Sequence, residues 1–191
     1  MNHSGPARTV ARRTGSATFA TLVAVGAVLA GVLVYQYLPF STAGSGDSSP
    51  GVSVFDDEDP AVANLDADLL AALRWAATDA ADDGVTFVVN SGWRSAQAQG
   101  RLLREAVSKY GSAEEAARWV AAPDKSAHVS GEAVDIGPTE AAAWLARHGA
   151  GYGLCQVYAN EPWHFELRPR ADERGCPAEY ADPTEDPRMQ Q

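Results

Sequence analysis

Residues 154–167 read Leu154-Cys155-Gln156-Val157-Tyr158-Ala159-Asn160-Glu161-Pro162-Trp163-His164-Phe165-Glu166-Leu167. Two runs rich in β-branched and aromatic residues flank a proline-containing turn, which predicts strands over 154–158 and 163–167. In the second run Trp163, Phe165 and Leu167 fall on one face, and His164, Glu166 and Arg168 on the other. The apolar face needs a core to cover it, and the polar face turns an imidazole toward a cleft. Working outward, 132–136 (EAVDI) and 85–89 (VTFVV) predict two more strands. Leu69, Leu70, Leu73, Ala76, Ala77 and Ala80 recur at helical spacing within 66–83, and Gly84 stops that helix. Further helices are expected over 96–109, from the Ser112/Glu115 capping box to about 121, and over 139–148. Helices come first and strands gather late. The expected fold is therefore α+β, a small single domain with a central antiparallel sheet flanked by helices. Trp75, Trp119 and Trp144 lie on the expected helices and are read as core.

The chain has 191 residues, 46% of them hydrophobic and 21% charged, and a net charge of −10. That composition suits one globular domain with additional segments and excludes a disordered polyelectrolyte. Arg8, Arg12 and Arg13 precede residue 40, and every acidic residue follows it. An acidic domain repels phosphate backbones, so no nucleic-acid partner is expected. Residues 17–40 form an apolar run long enough to span a bilayer, since about 20 apolar residues suffice. The arginines before it place residues 1–16 on the cytoplasmic side and the rest outside. The run is read as an N-terminal transmembrane helix that anchors the chain to the cell membrane. The other reading is a cleaved signal segment, because Ser41-Thr42-Ala43 offers small residues for cleavage and would leave the domain secreted. Residues 41–62, rich in Ser, Gly, Pro and Asp, are expected as a flexible spacer, 63–180 as the domain, and 181–191 as a disordered tail.

His3 falls in the cytoplasmic tail, and His148 at a helix end where dipole and solvent favour an imidazole. The other two histidines occupy unusual neighbourhoods. In Ser126-Ala127-His128-Val129-Ser130-Gly131-Glu132-Ala133-Val134-Asp135-Ile136, His128 sits in a polar loop and Asp135 inside an apolar strand. An ionised carboxylate there is costly unless a cation pairs with it. Gly131 lets the chain turn so that both side chains converge. A hydrogen-bonded core Asp with a surface His is the bland alternative. Glu161 enters the strand that carries His164 and reaches the same cleft. Together these blocks supply three N/O ligands, the number a catalytic zinc site uses while keeping a fourth position for water. Glu161 is left to take a proton. Glu166 reads either as a hydrogen-bond partner of a ligand histidine or as a solvated edge carboxylate. Arg94, in Ser91-Gly92-Trp93-Arg94-Ser95, follows a strand at a tight turn and suits carboxylate or oxyanion binding, or an ordinary surface ion pair.

SAHVSGEAVDI matches an S-x-H-x-x-G-x-A-x-D pattern, EPWHFE an E-x-W-H-x-E pattern, and SGWRSAQAQ an S-G-Y-R-S-x-x-x-Q block with Trp93 for the usual tyrosine. In this, the chain over about 64–168 resembles the VanY-like zinc D-alanyl-D-alanine carboxypeptidases. They form one metallopeptidase superfamily with D-Ala-D-Ala dipeptidases, certain phage endolysins and the hedgehog signalling domain. The resemblance implies a small α+β zinc peptidase domain. It implies one Zn2+ ion on His128, Asp135 and His164, with Glu161 as catalytic base. Arg94 would bind substrate carboxylate or the developing oxyanion, and Gln99 and Ser126 would line the substrate site. The implied reaction trims the terminal D-Ala from peptidoglycan stem peptides. An endopeptidase or dipeptidase acting on another stem-peptide bond, or a non-catalytic cell-wall-binding module, are the alternatives. The sequence departs from the pattern in a short segment between Asp135 and Glu161, and in Asn160 where Tyr commonly precedes the Glu. Both departures fall in the substrate-binding region and leave the cleaved bond open. Cys155 and Cys176 fall on the exported side, where a disulfide between them is expected.

Overall fold

The computed structural model describes residue 1 and residues 51–190. Five strands form one sheet in the order β1-β2-β3-β5-β4, with every pairing antiparallel. They are β1 (Val52–Ser53), β2 (Val88–Ser91), β3 (Ala133–Gly137), β4 (Leu154–Gln156) and β5 (His164–Leu167). The helices are α1 (Pro60–Ala63), α2 (Ala67–Asp82), α3 (Ala96–Tyr110), α4 (Ala113–Ala117), α5 (Ala127–Ser130), α6 (Thr139–His148) and α7 (Ala171–Arg174).

Local chemistry sets the main helices. Asp66 caps α2 by accepting from the backbone N–H groups of Asp68 and Leu69 at 3.0 and 3.1 Å, satisfying donors that the first turn leaves unpaired. Ser95 caps α3 through Ala98 N, and Ser112 caps α4 through Glu115 N. The α2 stripe Leu69, Ala72, Leu73, Ala76, Ala77 and Ala80 is buried, as its period requires. It packs with Ala141, Trp144 and Leu145 of α6 against Val89, Val134, Ile136 and Phe165 of the sheet. Burying a side chain such as Phe165 contributes about 1.5–3 kcal/mol relative to leaving it in water.

Register matters more for function. Ser91 pairs with Asp135, and Asp135 with His164. These three residues form one row across β2, β3 and β5, so their side chains leave the sheet on the same side, opposite Val134 and Phe165. A register shift between Val89 and Ser91 marks a bulge at Asn90, which is how Ser91 joins the row.

The structure corrects several expectations. The strand expected over 85–89 starts three residues later, at Val88, and ends two later, at Ser91. Residues 51–62, expected as spacer, carry β1 and α1 and bury Val54 and Val62. Residues 181–190, expected as a disordered tail, fold into two 3-10 turns with Asp182 and Asp186 buried. Trp144 is core, but Trp75 is 71% and Trp119 39% exposed. Position 75 lies off the α2 stripe, and Trp119 lies past the end of α4, where it stacks on Tyr110 with ring centroids 5.8 Å apart. His148 stacks on Trp144. Among the described residues no helix is long and apolar enough to cross a membrane. The expected anchor over 17–40 and His3 lie outside the described residues.

Candidate metal centre and active site

Two glycines bring the first ligand into place. His128 lies on α5 rather than in a loop, and Gly131 ends that helix at φ +81°. Gly131 also packs so closely that a Cβ would come within 2.6 Å of Asn64 O, so no other residue fits without backbone movement. At Gly92 a Cβ would lie 2.0 Å from Ala61 O. The turn after β2 therefore sits against α1, with Trp93 N donating to Ala61 O. From there Gly92 O meets His128 Nδ1 at 2.9 Å, and Arg94 N donates to His128 O.

The Gly92 carbonyl can only accept, so His128 Nδ1 carries the proton and Nε2 holds a lone pair. That Nε2 is 3.4 Å from Asp135 Oδ1. His164 Nδ1 is 3.1 Å from the same oxygen, and His164 Nε2 is 3.3 Å from Glu166 Oε1. Each ring thus has its outer nitrogen held by an oxygen and its inner nitrogen turned toward Asp135, as oriented metal-binding histidines do. One ligand atom from each of His128, Asp135 and His164 lies within 4.8 Å of the other two. His128 and His164 are buried, and their rings meet edge to face with centroids 5.0 Å apart.

The electrostatics favour a cation here. Burial pushes the His128 ring below its ordinary range and keeps it neutral, against the pull of Asp135. Burial would do the same to His164, but its hydrogen bonds to Asp135 and Glu166 outweigh it and raise the ring to about 9. Burial raises the Asp135 carboxyl, yet His128 and His164 hold it well below the usual carboxylate range. A pocket that draws a proton this strongly onto His164 Nδ1 offers the same attraction to a divalent ion in its place. With two imidazoles and one carboxylate, the donor set has the N/O chemistry of a catalytic zinc site, and no thiolate closes it. Cys155 and Cys176 form a disulfide instead, with S–S 2.05 Å.

Glu161 stands beside the group, its Oε2 3.8 Å from His164 Nδ1. Burial pushes its carboxyl up to about 7, with Asp135 and Asp182 adding to the rise and His164 and Arg94 opposing it. Arg94 lies across the same row. Nε donates to Ser91 Oγ at 2.9 Å, Nη1 to Gln99 Oε1 at 2.9 Å and Nη2 to Asp135 Oδ2 at 3.3 Å. Gln99 is 1% exposed and is itself held by Ala121 O at 2.8 Å. The structure therefore gathers His128, Asp135, His164, Glu161 and Arg94, places Gln99 behind Arg94, and leaves Ser126 buried two residues from His128 at the start of α5.

Sequence reasoning left the surroundings of Glu166 undecided between partner and solvated edge. The side chain is 2% exposed and meets Arg168 and Arg188 as well as His164. The roles of Gly92 O and Arg188 were missed. A backbone carbonyl carries no residue-type signal, and Arg188 sits in a polar, acid-rich stretch.

Residues 62–170 match the family described as VanY, D-alanyl-D-alanine carboxypeptidase. A D-alanyl-D-alanine carboxypeptidase of Enterococcus faecalis (strain ATCC 700802 / V583) is 33% identical over 108 residues, covering 44% of this chain and 40% of that protein. The chain thus spans less than half the length of this curated relative. Two solved structures share 27% identity and a TM-score of 0.52, each over 56% of this chain. One is a mutant of the vancomycin resistance D,D-pentapeptidase VanY from a VanB-type resistance cassette in complex with Zn(II), matched over 74% of its length. The other is VanYB in complex with D-alanine-D-alanine, matched over 72%. The family match covers more than half of the chain and contains His128, Asp135 and His164 together with Glu161 and Arg94, and the chain belongs to the VanY family of D-alanyl-D-alanine carboxypeptidases.

Proposed function

We propose that this domain is a zinc-dependent D-alanyl-D-alanine carboxypeptidase that removes the terminal D-Ala from peptidoglycan stem peptides. The observation that carries the reading is the convergence of His128 Nε2, Asp135 Oδ1 and His164 Nδ1, with Glu161 beside them. The complexes of its relatives with Zn(II) and with D-alanine-D-alanine support the choice of ion and substrate.

His128, Asp135 and His164 would hold the zinc. When bound, zinc supplies Lewis acidity and lowers the pKa of a water to about 7. The chain's own residues do the rest. Glu161 takes a proton from the attacking water as it adds to the carbonyl carbon of the penultimate D-Ala. It then gives that proton to the amine nitrogen as the C–N bond breaks and D-Ala leaves. Arg94 presents a guanidinium with more donors than Ser91, Gln99 and Asp135 take up, and binds the terminal carboxylate or the developing oxyanion. Gln99 and Ser91 lock its plane, so the group is in place before substrate arrives. In this reading Gln99 serves the substrate site by holding Arg94 rather than by lining it, and Ser126 belongs to the site.

The arginines before the apolar run at 17–40 and the Cys155–Cys176 bridge support an extracytoplasmic domain. It would be held at the membrane by that run, or secreted if the run is cleaved. The test is incubation of the full chain and Zn2+ with a stem pentapeptide ending in D-Ala-D-Ala. Mass spectrometry should show loss of one alanine; bound zinc with no product from any stem peptide rejects the reading. A second reading, cleavage of another stem-peptide bond, is favoured by Asn160. It stands next to Glu161, where the family pattern commonly has Tyr, and its Nδ2 donates to Arg118 O at 2.8 Å. Product analysis on whole muropeptides separates the two.

A further inference from the structure

We infer that Arg188 is a positioning residue for the metal centre, acting through Glu166 to fix the ring of His164. The inference rests on the metal reading of the His128–Asp135–His164 group. Arg188 lies beyond the residues 62–170 that carry the family match, in a segment whose composition reads as a tail.

That segment folds back in two 3-10 turns, Pro183–Glu185 and Pro187–Gln190. Asp182 caps the first turn through Thr184 N at 2.9 Å, and its other oxygen accepts from Arg118 Nε at 2.9 Å. Asp186 is fully buried. It accepts from Arg188 N at 2.9 Å, from Arg188 Nε at 2.9 Å and from Tyr158 Oη at 3.0 Å. These contacts aim the Arg188 guanidinium at Glu166. Nη1 donates to Glu166 Oε2 at 2.7 Å and Nη2 to Glu166 Oε1 at 3.1 Å. The pairing is bidentate, which fixes orientation as well as charge. Arg168 Nη1 adds one contact at 3.2 Å to Oε2. Glu166 Oε1 is the oxygen that faces His164 Nε2.

A carboxylate this buried is costly without paired charge. Arg188 supplies two of the three guanidinium contacts and holds the Glu166 carboxylate in one plane. Its Oε1 oxygen holds the His164 Nε2 edge of the ring, which leaves Nδ1 as the nitrogen turned toward Asp135. Loss of such an outer partner costs a metal site about 10–100-fold in affinity. A staple that served only to pin the segment would change stability and leave affinity alone.

The experiment compares the full-length chain as wild type, Arg188→Ala, Arg188→Lys and Tyr152→Phe. Zn2+ affinity is read by chelator competition, coordination by the absorption spectrum of the Co2+-loaded protein, and stability by thermal unfolding of the metal-free form. Arg188→Ala should weaken Zn2+ binding about tenfold, at the lower end because Arg168 persists, and should alter the Co2+ spectrum. Arg188→Lys should recover part of both. Tyr152→Phe removes a hydrogen bond to Asp79 away from the site; it should lower Tm without moving affinity or spectrum. If Arg188→Ala fails to fold, Glu166→Gln keeps the volume, removes the charge and should weaken binding in the same assays. An alanine or glutamine variant that loses Tm yet binds Zn2+ as tightly as wild type, with an unchanged Co2+ spectrum, overturns the inference. Wild-type protein that binds no divalent ion overturns the metal reading itself, and this inference with it.

Discussion

His164 and Asp135 stand opposite one another in the β3–β5 ladder, with Nδ1 3.1 Å from Oδ1. Backbone pairing thus sets the distance between two members of the proposed metal group, and the sheet holds it without help from a loop. Asp135 also touches His128 and Arg94, so a single oxygen pair links all three neighbours. Asp135→Asn keeps the shape and removes the charge. Zn2+ affinity should fall by more than about 100-fold, because loss of an outer partner alone already costs 10–100-fold. Chelator competition checks it, and unchanged affinity would remove Asp135 from the ligand set.

Glu161 is buried beside the ligands but is not among the three. Glu161→Gln should therefore leave Zn2+ binding within a few-fold and cut turnover of a D-Ala-D-Ala pentapeptide by about 10²–10⁴, the usual worth of a positioned base. Retained turnover would mean that another group takes the proton.

Of the residues gathered at the candidate site, Asp135, His164 and Arg94 stand out in the sequence because each breaks a local pattern. Asp135 interrupts an apolar strand, His164 alternates against Trp163 and Phe165, and Arg94 follows a strand at a glycine turn. The folding back of residues 182–190 was not legible. Arg118–Asp182 and Arg188–Glu166 are ion pairs between distant positions, and no periodicity announces a non-local charge pair. The burial of Glu166 was hidden for the same reason, since its cover comes from that segment. The exposure of Trp75 follows from counting. The buried stripe steps through Leu73, Ala76 and Ala77, and small residues there leave position 75 outside.

Arg94 makes three side-chain hydrogen bonds, one of them to the Asp135 carboxylate. Its fork geometry suits this network in a way that an ammonium cannot reproduce. Arg94→Lys should lower kcat/KM about 10- to 100-fold, matching the 1.5–3 kcal/mol typical of hydrogen bonds to charged groups. Steady-state kinetics on the pentapeptide measures it, and a variant with wild-type kcat/KM would remove Arg94 from the substrate site.

Acid should loosen the segment that carries Arg188. Burial raises the Asp186 carboxyl, but hydrogen bonds from the Arg188 side chain and backbone outweigh it and hold the group below its ordinary 3.8. Asp182 is held low in the same direction, its burial outweighed by bonds from Thr184 and Arg118. A carboxyl with a depressed folded-state pKa adds stability that is present above the ordinary value and lost as pH falls through the lowered one. Thermal unfolding should therefore show Tm falling below about pH 4, with a shallower fall in Asp186→Asn. An equal slope in the variant would show that Asp186 contributes nothing to the acid response.

The Cys155–Cys176 bridge ties β4 to the segment after α7 across 21 residues of chain. Cys155 pairs with Glu166 in the β4–β5 ladder, so the bridge braces the strand next to His164. Closing a loop of this size in the unfolded chain is worth about 3 kcal/mol. For a domain of this length that corresponds to a Tm about 10 °C lower after reduction, since 1 kcal/mol shifts Tm by a few degrees. The measurement is thermal unfolding with and without reductant, with a thiol count confirming that two thiols appear. Below the new Tm the reduced protein should still bind Zn2+, because neither sulfur belongs to the ligand group. An unchanged Tm with both thiols free would show that α7 docks without the covalent tie.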